Sequence, residues 1–436
     1  NYLKDIVAGR PVLGYPMRNG GLRLRYGRSR ISGLSSASLH PATMVTLDCF
    51  IANGTQLKME RPGKSSTISV CDSIEGPIVK LKNGSVVFLD SEEDARRLAK
   101  DVEEILFLGD ILINYGDFFN RGHKLVKPGY CEEWWLLEFE NAVKGKGIVE
   151  LSSEIDIEVD ALKKLFKGDL MSLKGRDAVS ISAKLGIPLH PRYTYHWKCI
   201  KHEDLVRLIN WLSKRMVVKK DNERIEKIIL PYEKEQLIDD PKKILESIGL
   251  PHTVIAKEYL VIDEDHAAGF AASLGFLENE DKLREIKFDG NEDVLDAINR
   301  ISLVRLRDKS GFFIGARMGR PEKGKMRKLV GSPHCLFPVG DQGGKMRSLQ
   351  SALDKGYIQS DFSSYFCEDC NSESIYPVCD RCWNKIKKTW YCEDCKKHYF
   401  DDKCDRHGVL KNYVSKKLDV HEHFRNVLNR LKLRNY

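Results

Sequence analysis

Over residues 1–90 apolar positions come in short runs that alternate with polar ones. Leu22-Arg-Leu-Arg-Tyr26 has the period of a strand and sets its arginines on one face. Gly20-Gly21, Gly54 and Gly63 mark turns, and Ile78-Val-Lys-Leu81, Asn83-Gly84 and Val86-Val-Phe-Leu89 read as a hairpin. After Ser91 the period lengthens. Ser91, with Asp94 three residues on, resembles a capping box, and Ala95, Leu98, Ala99, Val102 and Ile105 fall on one helical face. Ile105-Leu-Phe-Leu108 then turns at Gly109-Asp110 into Ile111-Leu-Ile-Asn114.

From about 150 to 300 the helical period dominates, with candidate helices at 156–167, 203–217, 233–248, 265–275 and 291–301. Thr253–Ala256 and Tyr259–Ile262 read as small strands between them. Sheet character returns at Val304–Arg307 and Gly311–Gly315, and a basic amphipathic helix is expected at 415–433. The pattern predicts an α+β multidomain chain. It comprises a β-rich region at 1–150, an α-rich lobe at 151–300 and a second β-rich stretch at 301–360. A cysteine-rich module at 361–410 and a terminal helix at 411–436 complete it.

Composition narrows the classes. The 436 residues are 42% hydrophobic, but no apolar run approaches the roughly 20 residues that span a bilayer, so no membrane partner is expected. The opening Asn1-Tyr-Leu-Lys-Asp5 has neither an initiator Met nor a signal peptide, which suggests excision from a longer protein or a missing beginning. The net charge of +8 matters through its distribution. Residues 1–30 carry Lys4, Arg10, Arg18, Arg23, Arg25, Arg28 and Arg30 against Asp5, and residues 316–328 carry six cations against Glu322. Such patches draw in a polyanion by releasing its counterions, although a solvated basic face has the same composition.

Seven of twelve cysteines lie between 367 and 404, in the pairs Cys367-x-x-Cys370, Cys379-x-x-Cys382 and Cys392-x-x-Cys395 followed by Cys404-x-x-His407. Each pair can offer two ligands from one tight turn, and two turns complete a tetrahedral zinc site. Sequential pairing gives a Cys₄ and a Cys₃His site; interleaved pairing has the same spacing. Every position would be filled by protein, so both zinc ions would be structural. His398 is a surface residue on this reading, while Trp383, Trp390 and Tyr391 pack around the ribbons. Metal-bound thiolates of this kind fit a reducing cytoplasm.

A second chemical signal is the loop Gly315-Ala-Arg-Met-Gly-Arg-Pro-Glu-Lys-Gly-Lys-Met-Arg-Lys328, whose Gly319, Pro321 and Gly324 oppose a continuous helix. Arg317, Arg320 and Arg327 can clamp phosphate oxygens in bidentate fashion, with Lys323, Lys325 and Lys328 as point charges on the same groups. Lys345 and Arg347 add cations on a further glycine turn, and Arg23 and Arg25 are candidate nucleic-acid contacts on their strand. Strand extension uses two metal ions held by close carboxylates. Glu154–Asp160, Asp263–Asp265 and Asp289–Asp293 read instead as edge-strand or helix-start acids, and Asp110 and Asp117 as turn caps.

Several stretches together resemble the large subunit of archaeal family-D DNA polymerase. They are Gly9-Arg-Pro11, Gly21–Arg30, His40-Pro-Ala-Thr43, Gly54-Thr-Gln-Leu-Lys58, Gly109–Phe118, Gly129-Tyr-Cys-Glu-Glu-Trp-Trp135, Gly186–Tyr195, the basic loop and the cysteine ribbons. The resemblance implies a double-psi β-barrel core formed by the first and third regions, with the α-rich lobe inserted and a double zinc-ribbon module following. It implies template-directed nucleotidyl transfer, with Lys323, Lys325 and Lys328 as active-site cations supported by Arg317, Arg320 and Arg327. It also implies magnesium held by an Asp-Gly-Asp loop, which this sequence lacks, so that those carboxylates would lie outside the chain and the isolated chain would be inactive. The implied partners are primer-template DNA and dNTPs, a small proofreading exonuclease subunit, the remaining part of the large subunit and a sliding clamp. A non-catalytic zinc-ribbon scaffold that binds nucleic acid or a partner subunit is the alternative. A nuclease would need clustered histidines and acids, whereas His40, His123, His190 and His196 are dispersed.

Overall fold

The computed structural model describes residues 6–7, 10–27, 37–63, 65–166, 173–221, 224–232, 240–286, 292–319, 339–344 and 348–430. The chain divides into two compact units, Asn1–Glu322 and Lys323–Tyr436. Both are built from mixed α and β elements, as the periodicity predicts.

The first unit holds a nine-stranded sheet. Its order is Ile6–Val7, Arg10–Gly14, Ala316–Met318, Gln56–Met59, Ser65–Val70, Ala37–Leu39, Asp110–Ile113, Leu22–Tyr26 and Phe313–Ile314. Two pairs are parallel: Asp110–Ile113 with Leu22–Tyr26, and Ala37–Leu39 with Ser65–Val70. The stretch 313–318 contributes both the last strand of this order and its third. Phe313–Ile314 pairs with Leu22–Tyr26, and Ala316–Met318 pairs with Gln56–Met59, so continuous chain joins the sheet to itself. Gly315 is the joint. A Cβ there would meet Pro16 N at 2.4 Å, and its N–H donates to Glu60 Oε2 at 3.2 Å. Alternate residues such as Leu22, Leu24, Leu57, Ile111, Ile113 and Ile314 share one buried cluster inside.

Beside it, the expected hairpin forms from Ile78–Leu81 and Val86–Phe88. Ser91 caps helix Glu92–Leu98 by accepting the Asp94 N–H at 3.0 Å. The helical face expected to run on through Val102 and Ile105 does not. The chain turns after Leu98, and Val102–Phe107 pairs antiparallel with Ile78–Leu81. Cross-strand hydrogen bonds available from a hairpin already in place outweigh a local 3.6-residue spacing.

The α-rich region contains helices Glu132–Ala142, Ile148–Ile155, Val159–Phe166, Gly175–Leu185, His202–Arg215, Lys242–Ile248, Glu264–Ser273 and Val294–Ile301. The helix expected at 156–167 forms as Val159–Phe166, while Asp156, at φ 56°, ends the preceding helix Ile148–Ile155. The helix expected at 233–248 starts at Lys242, after Pro241, and 233–239 lie outside the described residues. Both small strands expected near 253 and 259 are present, but in a four-stranded antiparallel sheet with Val217–Asp221 and Arg224–Pro231. Val304–Arg307 is no strand; the Asn299 side chain holds the Leu306 backbone on both sides, at 3.1 and 2.7 Å. Trp135, Phe139, Trp197 and Phe270 fill one large core with the surrounding aliphatics.

The second unit is organised by Tyr357–Ser363 paired antiparallel with Tyr413–Asp419. Small ribbons lie between them in sequence, and helix Val420–Arg430 follows. The helix expected from 415 therefore begins later. Tyr413–Asp419 alternates exposed and half-buried positions with period two, and seven residues of pairing hold it as a strand. Among the described residues no helix is long and apolar enough to cross a membrane.

Candidate metal centres and a buried charge cluster

In the second unit, two groups of four side chains have their ligand atoms within 4.8 Å of one another: Cys367, Cys370, Cys379 and Cys382, then Cys392, Cys395, Cys404 and His407. The pairing is the sequential one. A tetrahedral zinc ion, with bonds of about 2.3 Å to sulfur and 2.0 Å to nitrogen, would set sulfurs about 3.8 Å apart and sulfur about 3.5 Å from nitrogen. Cys367 Sγ is 3.6 Å from Cys382 Sγ, and Cys395 Sγ is 3.8 Å from Cys404 Sγ. His407 Nδ1 lies 3.4, 3.3 and 3.7 Å from the sulfurs of Cys392, Cys395 and Cys404. The donor sets therefore fit zinc.

The four turns share a backbone solution. The residue after each pair's second ligand has positive φ: Asn371 at 46°, Trp383 at 66°, Lys396 at 53° and Gly408 at 77°. A left-handed step there reverses the chain behind the ligands, and three of the four positions tolerate it with a side chain. Backbone N–H groups of Cys382 and Arg381 pull the Cys379 thiol down to about 6. The Arg406 N–H and the Tyr399 hydroxyl do the same for Cys404, also to about 6. A bound metal ion would favour the thiolate form of every sulfur in both sets, including Cys367, Cys370 and Cys395, which burial and neighbouring thiols push up.

Two expectations around the ribbons need correction. Trp383 is 48% exposed, because its left-handed turn carries the indole away from the small core. His398 is no idle surface residue. Its Nε2 sits 2.5 Å from Glu373, its Nδ1 lies 3.1 Å from Ser364 Oγ, and its ring is 5.0 Å from that of Tyr391. Glu373 also takes the Lys416 ammonium, so His398 links strands around both centres.

The first unit holds a cluster that the sequence did not announce. Arg23 grips Asp110 with two bonds, Nε to Oδ1 at 2.5 Å and a terminal nitrogen to Oδ2 at 3.0 Å, and reaches Glu75 at 2.8 Å. Arg25 bonds Asp110 at 2.9 Å, Glu132 at 3.0 Å and also Glu133. Lys309 completes the set, 2.6 Å from Glu75, and the Glu75 N–H donates to Asp110 at 3.0 Å. Parallel pairing places Asp110 beside Arg23 in register, which makes this meeting possible. Burial alone would raise the Asp110 carboxyl, but Arg23 and then Arg25 hold it well below the usual carboxylate range. Burial does raise Glu132.

Arg23 and Arg25, expected as nucleic-acid contacts, are thus only 2% and 4% exposed. The residues that pair with them lie up to 108 positions away, and guanidinium groups enclosed by several carboxylates present no face to phosphate. Asp110, expected as a turn cap, has both oxygens engaged. Asp265 accepts the Gly175 N–H at 2.8 Å, and Asp263 precedes its helix, as helix-start acids do. Arg317 is half-buried on Ala316–Met318. Arg320, Lys323, Lys325, Arg327, Lys328, Lys345 and Arg347 lie outside the described residues.

Fold and site together define a mixed α+β chain whose second unit carries two four-residue groups that fit metal. Its sequence matches the model of the DNA polymerase II large subunit DP2 central domain over residues 1–401, and the chain belongs to that family. It is 40% identical to the DNA polymerase II large subunit of Nanoarchaeum equitans over 409 residues, 89% of this chain and 32% of that protein. It is 37% identical to that of Pyrococcus horikoshii over 99% of this chain and 32% of that one, and 38% identical to that of Archaeoglobus fulgidus over 97% and 35%. The chain spans about a third of the length of these curated relatives.

Proposed function

We propose that this chain forms part of the strand-holding core of a replicative DNA polymerase large subunit, acting in template-directed nucleotidyl transfer on primer-template DNA with dNTPs. The observation that carries the reading is the origin of the basic loop. It continues directly from Ala316–Met318, a strand held between Arg10–Gly14 and Gln56–Met59 in the self-joined sheet. The Gly319 N–H is tied to Gln56 O at 2.8 Å, so the loop starts from a fixed point. Two parallel pairs within an otherwise antiparallel, self-joined sheet support a double-psi barrel.

In this reading Lys323, Lys325 and Lys328 neutralise phosphate charge at the reacting end. Arg317, Arg320 and Arg327 clamp neighbouring phosphates, and Lys345 and Arg347 are proposed as further phosphate contacts. The zinc ribbons stiffen the second unit and take no part in chemistry. Magnesium would neutralise the transferring phosphates, but among the described residues Asp110 does not fit it, being saturated by arginines and a backbone N–H. Its ligands are assigned to carboxylates in the remaining part of the large subunit. The small proofreading subunit and a sliding clamp are the other proposed partners.

The test is primer extension by a complex reconstituted with the small subunit and a full-length large subunit carrying Lys325→Glu and Lys328→Glu. Extension should be abolished while zinc content stays at the parent level. Parent-level extension overturns the active-site role and leaves the chain as a zinc-ribbon scaffold.

A further inference from the structure

A groove in the first unit has no part in the functions described above. Its cavity of about 660 Å³ lies within the range that holds a small ligand, roughly 300–1,000 Å³. Its walls come from the 127–134 segment, Lys198, helix Val294–Ile301 and the 302–308 stretch.

Three features of the lining combine. Lys127 and Arg305 are exposed and make no ion pair among the described residues, while Lys198 is only loosely matched, 3.7 Å from Asp293. The acids opposing them are Asp296 and Asp308, and Asp308 is already engaged, accepting the N–H groups of Ser310 and Gly311 at 2.9 and 3.3 Å. One wall is flat: the Arg307 guanidinium lies 5.0 Å over the Trp134 ring and 5.5 Å from that of Tyr130, fixed by Glu138 at 2.5 Å. Leu303 adds an apolar surface that is 38% exposed.

The lining is also preorganised. The Leu189 N–H holds the Arg305 carbonyl at 2.8 Å, Asn299 brackets Leu306, and the Tyr130 N–H holds the Asp308 carbonyl at 2.9 Å. The backbone is fixed at and beyond Arg305, whose side chain makes no ion pair among the described residues.

Cations without an ion pair among the described residues, beside a flat guanidinium–indole wall and an apolar shelf, match a phosphate backbone with unstacked bases. We propose that this groove binds an unpaired segment of a nucleic-acid strand, with phosphates at Lys127 and Arg305 and a base against Arg307 and Trp134. The proposal deepens the polymerase reading and rests on it for its setting.

The experiment is fluorescence anisotropy of a labelled oligothymidylate on the zinc-loaded 436-residue chain, titrated at several salt concentrations. The double variant Lys127→Glu, Arg305→Glu should bind about tenfold more weakly, with a salt slope shallower by about 1.4 for two lost phosphate contacts. Arg305→Gln, which keeps the side-chain bulk, should lose about 0.7 of slope. Ultraviolet cross-linking of an iodinated oligonucleotide should mark the Tyr130–Trp134 peptide. Parent-like affinity and slope in both variants, or no binding by the parent chain, overturn the groove. So does loss of subunit capture with oligonucleotide binding unchanged, which would make it a protein interface. If primer extension fails with the Lys325 and Lys328 changes while the groove variants bind normally, only the groove falls. Normal extension with those loop changes instead removes only the active-site role.

Discussion

Asp110 is the residue on which most of the buried charge depends, and it is 0% exposed with three ion-pair bonds of 2.5 to 3.0 Å to two arginines. Removing one partner of such a set leaves the others charged and unmatched in a dry site, a loss on the order of 3 kcal/mol. Asp110→Asn should therefore lower the thermal midpoint at pH 7 more than Glu132→Gln does, because burial already disfavours the Glu132 charge. The pH dependence has a definite sign. A carboxyl held below its ordinary value contributes fully above its unfolded pKa, about 4, and loses that contribution as pH falls towards the folded value. The gap between parent and Asp110→Asn midpoints should narrow below pH 4. A gap that widens on acidification would contradict the ion-pair account. Gly109, at φ +84° with Gly76 backbone 2.7 Å from any Cβ, gives a second prediction. Gly109→Ala should destabilise by about 2 kcal/mol in urea unfolding, since strain and clash add. That Gly109-Asp110 is a turn was legible in sequence. That Asp110 would meet Arg23 was not, because the meeting depends on a parallel register between strands 87 residues apart.

The ribbons are the elements most completely written in local sequence. Each Cys-x-x-Cys or Cys-x-x-His pair specifies its own tight turn, so spacing alone named all eight residues of the two groups that could hold a metal; the geometry added the grouping. Metal analysis should find two zinc ions per chain, and Cys370→Ser or Cys395→Ser should each remove one without displacing the other. Loss of both ions from either variant would show that the centres are not separate. Elements whose period is ambiguous behaved differently. Val102–Phe107 carried helically spaced apolar positions and became a strand, as did Tyr413–Asp419, each because a partner strand offered its edge. Hydrophobic spacing reports which residues are buried, and pairing decides the backbone that buries them.

Across the chain, secondary structure is unevenly distributed between the units, and this gives a test of metal dependence. The helices from Pro41–Thr46 to Val294–Ile301 lie in the unit Asn1–Glu322, and among the described residues both metal groups lie in the other. Chelation at neutral pH should therefore abolish near-ultraviolet signals from Trp383 and Trp390 while keeping most of the helical circular dichroism. Collapse of the helical signal would mean that the metal supports more than its own ribbons. The self-joined sheet is the feature least visible in sequence. Residues 10–70 and 313–318 must come together around the 110–113 strand, and the whole α-rich region intervenes between two of its strands.

Local chemistry was sufficient for the eight candidate metal ligands, the capped helix after Ser91, the hairpin at 78–88 and the mixed α+β class, since each follows from neighbours within a few turns of chain. Burial of Arg23 and Arg25, the ion pairs of Glu75 and Lys309, and the groove beside Trp134 required the folded chain. Each depends on groups far apart in sequence, and whether a cation faces water or a carboxylate is settled by what packing brings opposite it.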